Sequence, residues 1–126
     1  MRVYLAGGLQ SDWQEKAARL LRHKYSSIDI LDPKSLQPRN LPIDEIADIE
    51  RNWIISADIV LAFLEEDNPL PMGLCAELGF AHALGKRTLL VDGYNNKKSR
   101  WLAQFTRCLV YTNLEEAVNS LGKTHG

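Results

Sequence analysis

The chain has 126 residues, 45% of them hydrophobic, which is about one ordinary domain and enough to bury a core without disulfide or metal staples. Its 15 basic and 16 acidic residues nearly cancel, so no global field draws it to polymeric nucleic acid or an anionic membrane, and a small, locally bound partner is expected instead. No run nears the roughly 18 apolar residues of a membrane span and no targeting segment is visible, while Cys75 and Cys108, far apart in apolar segments, read as reduced core residues of a cytoplasmic protein.

In chain order, Val3 to Ala6 is a strand that runs into Gly7-Gly8. Ser11 followed by Gln14 resembles a capping box, after which Trp13, Ala17, Leu20 and Leu21 fall on one helical face. Ile28 to Leu31 is the next strand, and Lys34 to Leu41, with Pro38 and Asn40, reads as a long polar loop. A second helix is predicted from about Pro42 to Ser56. Ile59 to Leu64 has no polar alternation, so it is expected to be a central strand covered on both faces.

A third helix occupies about Gly73 to Ala83 and ends near Gly85. Thr88 to Val91 and Cys108 to Tyr111 complete five strands, separated by a polar loop from Asp92 to Ser99 and a short helix near Arg100 to Phe105. A last helix runs from about Leu114 to Leu121, and residues 123–126 read as a frayed tail. This alternation predicts one domain over residues 1–122, a doubly wound, flavodoxin-like or Rossmann-like parallel sheet of five strands with helices on both faces.

Such a sheet binds ligands beyond the carboxyl ends of its strands, where the strand order reverses. Those ends are Gly7-Gly8, Asp32-Pro33, Glu65 to Gly73 and Asp92-Gly93. Gly7 and Gly8 permit close backbone approach to a ligand, although a tight turn explains them equally well. No G-x-G-x-x-G, Walker or Gly-x-Ser-x-Gly sequence is present, and His23, His82 and His125 lack metal-ligand spacing, so no metal or cofactor is expected.

Two acids carry more information. Glu77 lies early in an otherwise apolar helix, and its neighbours at three and four residues, Gly73, Leu74, Phe80 and Ala81, offer no cation. It is either paired across the fold or turned to a site, where the helix N-terminus is expected to favour its ionised form. On the second helix, Ile43, Ile46, Ala47, Ile49, Trp53 and Ile54 form one face at about 100° per residue, and Glu50 falls in its middle. Such a break marks either a buried pair or a functional group. Tyr4, on the first strand, fits plain core or a hydroxyl aimed at the site.

Taken together, these residues resemble the nucleoside 2-deoxyribosyltransferase family from Met1 to about Val91. The resemblance rests on Val3-Tyr4-Leu5-Ala6-Gly7 with Ser11-Asp12-Trp13, on Glu50 eight residues before Asp58 in Ser56 to Ala62, and on Gly73 to Ala81 with Leu84-Gly85-Lys86. It implies cleavage of a nucleoside's N-glycosidic bond with Glu77 as nucleophile, Tyr4 holding that glutamate and Glu50, in place of the usual Asp, touching the sugar. Gly7, Gly8, Asp12, Trp13, Gly73 and Asp92 are the expected substrate-binding residues.

The chain departs from the family pattern at Pro71, where transferases often carry Asp and nucleotide-hydrolysing relatives Ser, and at Leu74, which replaces Thr or Ser. The Gly7 to Asp12 loop has no Arg or Lys, which ranks a nucleoside above its 5′-monophosphate, with Arg39, Lys97 or Lys98 left as cations able to reach a phosphate. A homo-oligomer, most simply a dimer, is implied. A non-catalytic nucleotide-binding module on the same scaffold is the alternative of a different class.

Overall fold

Apolar runs without polar alternation must be covered on both faces, and a parallel sheet with helices above and below provides that cover. The computed structural model describes residues 1–65, 72–93 and 97–122; the expected tail lies outside them. Its elements are β1 (Arg2–Gly7), α1 (Trp13–Lys24), β2 (Asp29–Leu31), a 3-10 helix (Pro33–Arg39), α2 (Ile43–Ser56), β3 (Ile59–Phe63), α3 (Met72–Ala83), β4 (Arg87–Val91), α4 (Lys97–Thr106), β5 (Leu109–Tyr111) and α5 (Leu114–Ser120).

Among the described residues, five strands form one parallel sheet in the order β2-β1-β3-β4-β5. The order reverses between β1 and β3, whose register sets Tyr4 beside Val60, Ala6 beside Ala62 and Gly7 beside Phe63. Right-handed crossovers then divide the helices between the faces. Val3, Leu5 and Leu61 pack under α1 and α5 with Trp13, Ala17, Leu21, Leu114 and Val118. Tyr4, Ala6, Val60 and Leu90 pack under α2, α3 and α4 with Ile54, Leu74, Leu78 and Leu102. Among the described residues no helix is long and apolar enough to cross a membrane.

Three local expectations need correction. Lys34 to Leu41 is not an open loop. Pro33 starts a 3-10 helix, the Asp32 carboxylate accepts from the Lys34 N–H at 2.9 Å, and Asn40 ends it in the left-handed conformation at φ 54°. Ser11 and Gln14 form no capping box either, because α1 starts at Trp13 behind Asp12, with no side-chain capping bond, and the Gln14 side chain turns back to the preceding turn.

The apolar stripe of α2 is also less buried than its pattern suggests. Ile54 is sealed and Ile46, Ile49 and Trp53 are half-buried, but Ala47 is exposed and Ile43 is 85% exposed. Only the carboxyl-terminal part of α2 crosses the sheet, so a stripe fixed by period can outrun the surface that covers it.

The end of β1 is closely constrained. Gly7 has φ +150°, and a Cβ there would come within 2.6 Å of the Phe63 carbonyl oxygen. No ordinary side chain fits that backbone, and the obstruction is itself backbone. Gly7→Ala is therefore expected to destabilise the protein by at least about 2 kcal/mol, read as a lower urea midpoint with an unchanged slope; an unchanged midpoint would show that the strand end relaxes freely.

Candidate active site

Alternation along β1 sends Tyr4 to the face covered by α2 and α3 while Val3 and Leu5 face α1. Tyr4 is fully buried, and its ring meets Trp53 of α2 edge-on at a centroid distance of 6.5 Å. One turn before Trp53, α2 carries Glu50, and α3, which packs on both β1 and α2, carries Glu77. The two carboxyl groups and the Tyr4 hydroxyl come together there, each acid within electrostatic reach of the hydroxyl.

The arrangement is crowded and under-satisfied. The Tyr4 hydroxyl and Oε2 of Glu77 are sealed from solvent, and among the described residues neither has a hydrogen bond of ordinary geometry. The three groups therefore face one another with bonds poised rather than closed, while the rest of Glu77 keeps partial access to solvent. Desolvation pushes Glu77 up to about 7; the Tyr4 hydroxyl opposes the shift, and the Glu50 charge adds to it. Partial burial raises Glu50 as well, again against the Tyr4 hydroxyl, and burial beside two acids drives the Tyr4 phenol far upward, so it stays protonated. The expected help from the helix N-terminus does not prevail, because Glu77 is the sixth residue of α3, beyond the first turn where the dipole acts.

The Gly7-Gly8 turn at the other end of β1 is held from below. Trp13 is 3% exposed and stacks on Phe63 at 5.1 Å, and its Nε1 donates to the Gly8 carbonyl at 2.9 Å. The buried Gln14 Nε2 donates to the same oxygen at 2.8 Å. Trp13 thus supports the turn from the α1 side of the sheet, opposite Tyr4.

Above the turn, Glu65 lays its carboxylate where a Gly8 side chain would begin, with Oε1 1.6 Å from an ideal Cβ. In the sequence Glu65 is only the start of a loop, and its place over Gly8 emerges only when β1 and β3 lie side by side; the Gln14 clamp is local, from α1 back to the turn just before it.

The other expected residues are spread around this centre. Gly73 precedes Glu77 by one turn, and a Cβ on it would come within 3.9 Å of the Glu77 Oε1. Asp12 is exposed at the start of α1. Asp92, at the end of β4, is buried, and its carboxylate accepts from the Ser99 hydroxyl, so it ties β4 to α4. Arg39 is exposed, Leu74 is buried in the core, and Pro71 and the side chains of Lys97 and Lys98 lie outside the described residues. Among the described residues no group of His, Cys, Asp and Glu could hold a metal ion.

A carboxyl group raised from 4.5 to about 7 in the fold binds a proton that the unfolded chain releases. The stability it contributes is complete below pH 4.5, declines as the pH rises, and is gone above about 7, a change on the order of 3 kcal/mol. Glu77→Gln is therefore expected to melt several degrees above the parent protein at pH 8, with the gap closing below pH 4.5. A gap independent of pH would contradict a neutral, desolvated Glu77.

The chain matches the nucleoside 2-deoxyribosyltransferase family over residues 3–119. No curated protein matches it significantly. Among solved structures it is similar to a conserved protein from Enterococcus faecalis V583, with 14% identity, a TM-score of 0.76 and coverage of 94% of this chain and 95% of that one. It also resembles the CMP N-glycosidase BcmB of Clostridium botulinum, with 20% identity, a TM-score of 0.66 and coverage of 96% and 98%. A 2-deoxyribosyltransferase from Leishmania mexicana shares 26% identity over 72% of this chain and 65% of its own, with a TM-score of 0.55. At identities of 14% and 20%, the first two likenesses speak for the fold alone, whereas the family match spans nearly the whole sequence: the chain belongs to the nucleoside 2-deoxyribosyltransferase family.

Proposed function

We propose that this protein cleaves the N-glycosidic bond of a nucleoside through a covalent glycosyl ester on Glu77, passing the sugar to another base or to water. The observation that carries this reading is the meeting of Glu77 and Glu50 at the buried Tyr4 hydroxyl, in a chain whose family acts on nucleosides.

A Glu77 carboxylate oxygen attacks the anomeric carbon as the bond to the base nitrogen breaks. The bonding pair leaves with the base, which takes up a proton. A second base nitrogen, or a water oxygen, then attacks the same carbon, gives up its proton to solvent and releases the carboxylate. Desolvation suits both halves, because an anion with little hydration stabilises an oxocarbenium-like carbon strongly and is a better nucleophile than one held by water. Tyr4 orients the carboxylate and supports its charge. Glu50 is placed to bind sugar hydroxyls and, through its own charge, to hold Glu77 near neutrality. Gly7, Gly8, Asp12, Gly73 and Asp92 are proposed to border the substrate, with Trp13 beneath. No step calls for a cofactor. Free, half-buried Cys75 and Cys108 fit a reducing, cytoplasmic setting.

A homodimer is part of the proposal. On and beside α2, α3 and α4, Ile43, Ile55, Met72, Leu84 and the stacked pair Trp101 and Phe105 are exposed, as are Ala76 and Ala83 of α3. A monomer seldom shows so much apolar surface, and a second copy laid across it would help close the site between α2 and α3. Light scattering is expected to give twice the chain mass, and Trp101→Glu to shift it toward one; a single-chain mass for the parent protein at micromolar concentration would count against the dimer.

With a nucleoside panel, with and without acceptor bases, Glu77→Gln and Glu77→Ala are expected to lose at least about 1,000-fold in kcat/KM while remaining folded. A slow 2-fluoro nucleoside should leave a glycosyl adduct on the Glu77 peptide, seen by mass spectrometry. In the parent enzyme kcat/KM should fall about tenfold per pH unit below pH 7, because the nucleophile must be ionised. Tyr4→Phe removes a group that favours ionisation and should move this limb to higher pH, whereas Glu50→Gln removes a like charge and should move it lower. An active protein with full rate as Glu77→Gln, or an adduct elsewhere, would refute the nucleophile. Binding without turnover of any nucleoside would favour the non-catalytic module.

A further inference from the structure

The position of Glu65 bears on which end of a substrate meets the β1 turn. In open parallel sheets, the glycine turn after the first strand, at the point where strand order reverses, is where backbone approaches the phosphate of a bound nucleotide. Here that turn is Gly7-Gly8, between β1 and β3, and the space above Gly8 is already filled by a carboxylate.

Oε1 of Glu65 stands 1.6 Å from the position of a Gly8 Cβ, so the acid rests directly on the glycine backbone. Among the described residues Glu65 has no hydrogen-bond or ion-pair partner, so its acceptor capacity is uncommitted. Lys34 is the described cation that bonds the same loop, and its ammonium donates to the Ser11 carbonyl at 2.7 Å, three residues beyond Gly8. The turn cannot withdraw from Glu65, because Trp13 and Gln14 hold the Gly8 carbonyl from the other side and Gly7 is wedged against Phe63.

We infer that Glu65 is a specificity-determining residue that reads the 5′ end of the substrate, accepting a hydrogen bond from a free 5′-hydroxyl and rejecting a 5′-phosphate. This rests on the glycosidase reading above and fixes its substrate class as nucleoside rather than nucleoside monophosphate. A hydroxyl brings a donor to an acceptor that lacks one. A phosphate brings a charge of nearly two against the Glu65 carboxylate and also competes for the volume that this side chain occupies.

The test is equilibrium binding by calorimetry, in the Glu77→Gln background so that no bond is cleaved, of the common ribo- and deoxyribonucleosides and the 5′-monophosphate of each. With Glu65 intact, the best nucleoside is expected to bind at least about 100-fold tighter than its monophosphate. Glu65→Gln keeps the shape and removes the charge, and Glu65→Ser also opens the space; both should reduce that ratio at least about tenfold, with the monophosphate gaining affinity. Equal or tighter binding of the monophosphate with Glu65 intact, or an unchanged ratio in both variants, would overturn the assignment. Turnover by the parent protein separates this from the parent reading. Selective nucleoside binding without turnover of either class removes the glycosidase and leaves Glu65 as the selector; turnover with no preference between the classes removes the selector and leaves the glycosidase; no binding of either class removes both.

Discussion

Two carboxyl groups and a phenol share one desolvated space, and that crowding governs the rest of the site. Glu50 comes from α2, Glu77 from α3 and Tyr4 from β1, so three elements distant in sequence must be held together against the repulsion of two acids. Among the described residues no cation pairs with either acid: Arg51 pairs with Asp48 on the exposed side of α2, and α3 carries no Lys or Arg. The core supplies the restraint: Ile54 and Trp53 pin α2, Leu74 and Leu78 pin α3, and Tyr4 is locked in the sheet beside Val60. The fold therefore tolerates a group that would be more comfortable in water, which is the usual relation between an active site and the stability around it.

The same strand organises the opposite end of the site. Gly8 directly follows β1 and lies four residues beyond Tyr4, about 13 Å along an extended chain, and the strand is bonded on both sides, so the distance between Tyr4 and the turn is fixed by the sheet. Aromatic stacking of Trp13 on Phe63 and two donors on the Gly8 carbonyl make the turn a rigid stop. The proposed chemistry at one end and the proposed recognition at the other then depend on a single central element, with α2, α3 and the segment after β3 supplying the charges.

Much of this was legible in the sequence because it follows from period. Ile59 to Phe63 is a central strand, buried from Ile59 to Ala62, as its apolar run suggests, and Gly85 follows α3 with φ +72°. Glu50 stood out as an acid in an apolar stripe, and Glu77 as an acid with no helical partner; in the structure the two acids meet at Tyr4. Period could not show how much of the α2 stripe the sheet would cover, and Ile43 lies beyond the covered part. Nor could it show the balance of terms at Glu77, where enclosure by neighbours from β1 and α2 outweighs any help from the start of α3. Gln14 read as a cap because its spacing from Ser11 fits one, yet its amide is committed to Gly8. Glu65 gave no signal at all, since its meaning comes from the neighbouring strand.

The central claim is that Glu77 is a desolvated carboxyl group balanced near neutrality by Tyr4 and Glu50. The most direct measurement is a carbon-13 NMR titration of the Glu77 side-chain carboxyl, assigned by its loss in Glu77→Gln. The account predicts a midpoint near 7 that falls in Glu50→Gln and rises in Tyr4→Phe; a midpoint at the ordinary carboxylate value, unmoved by either change, would contradict it.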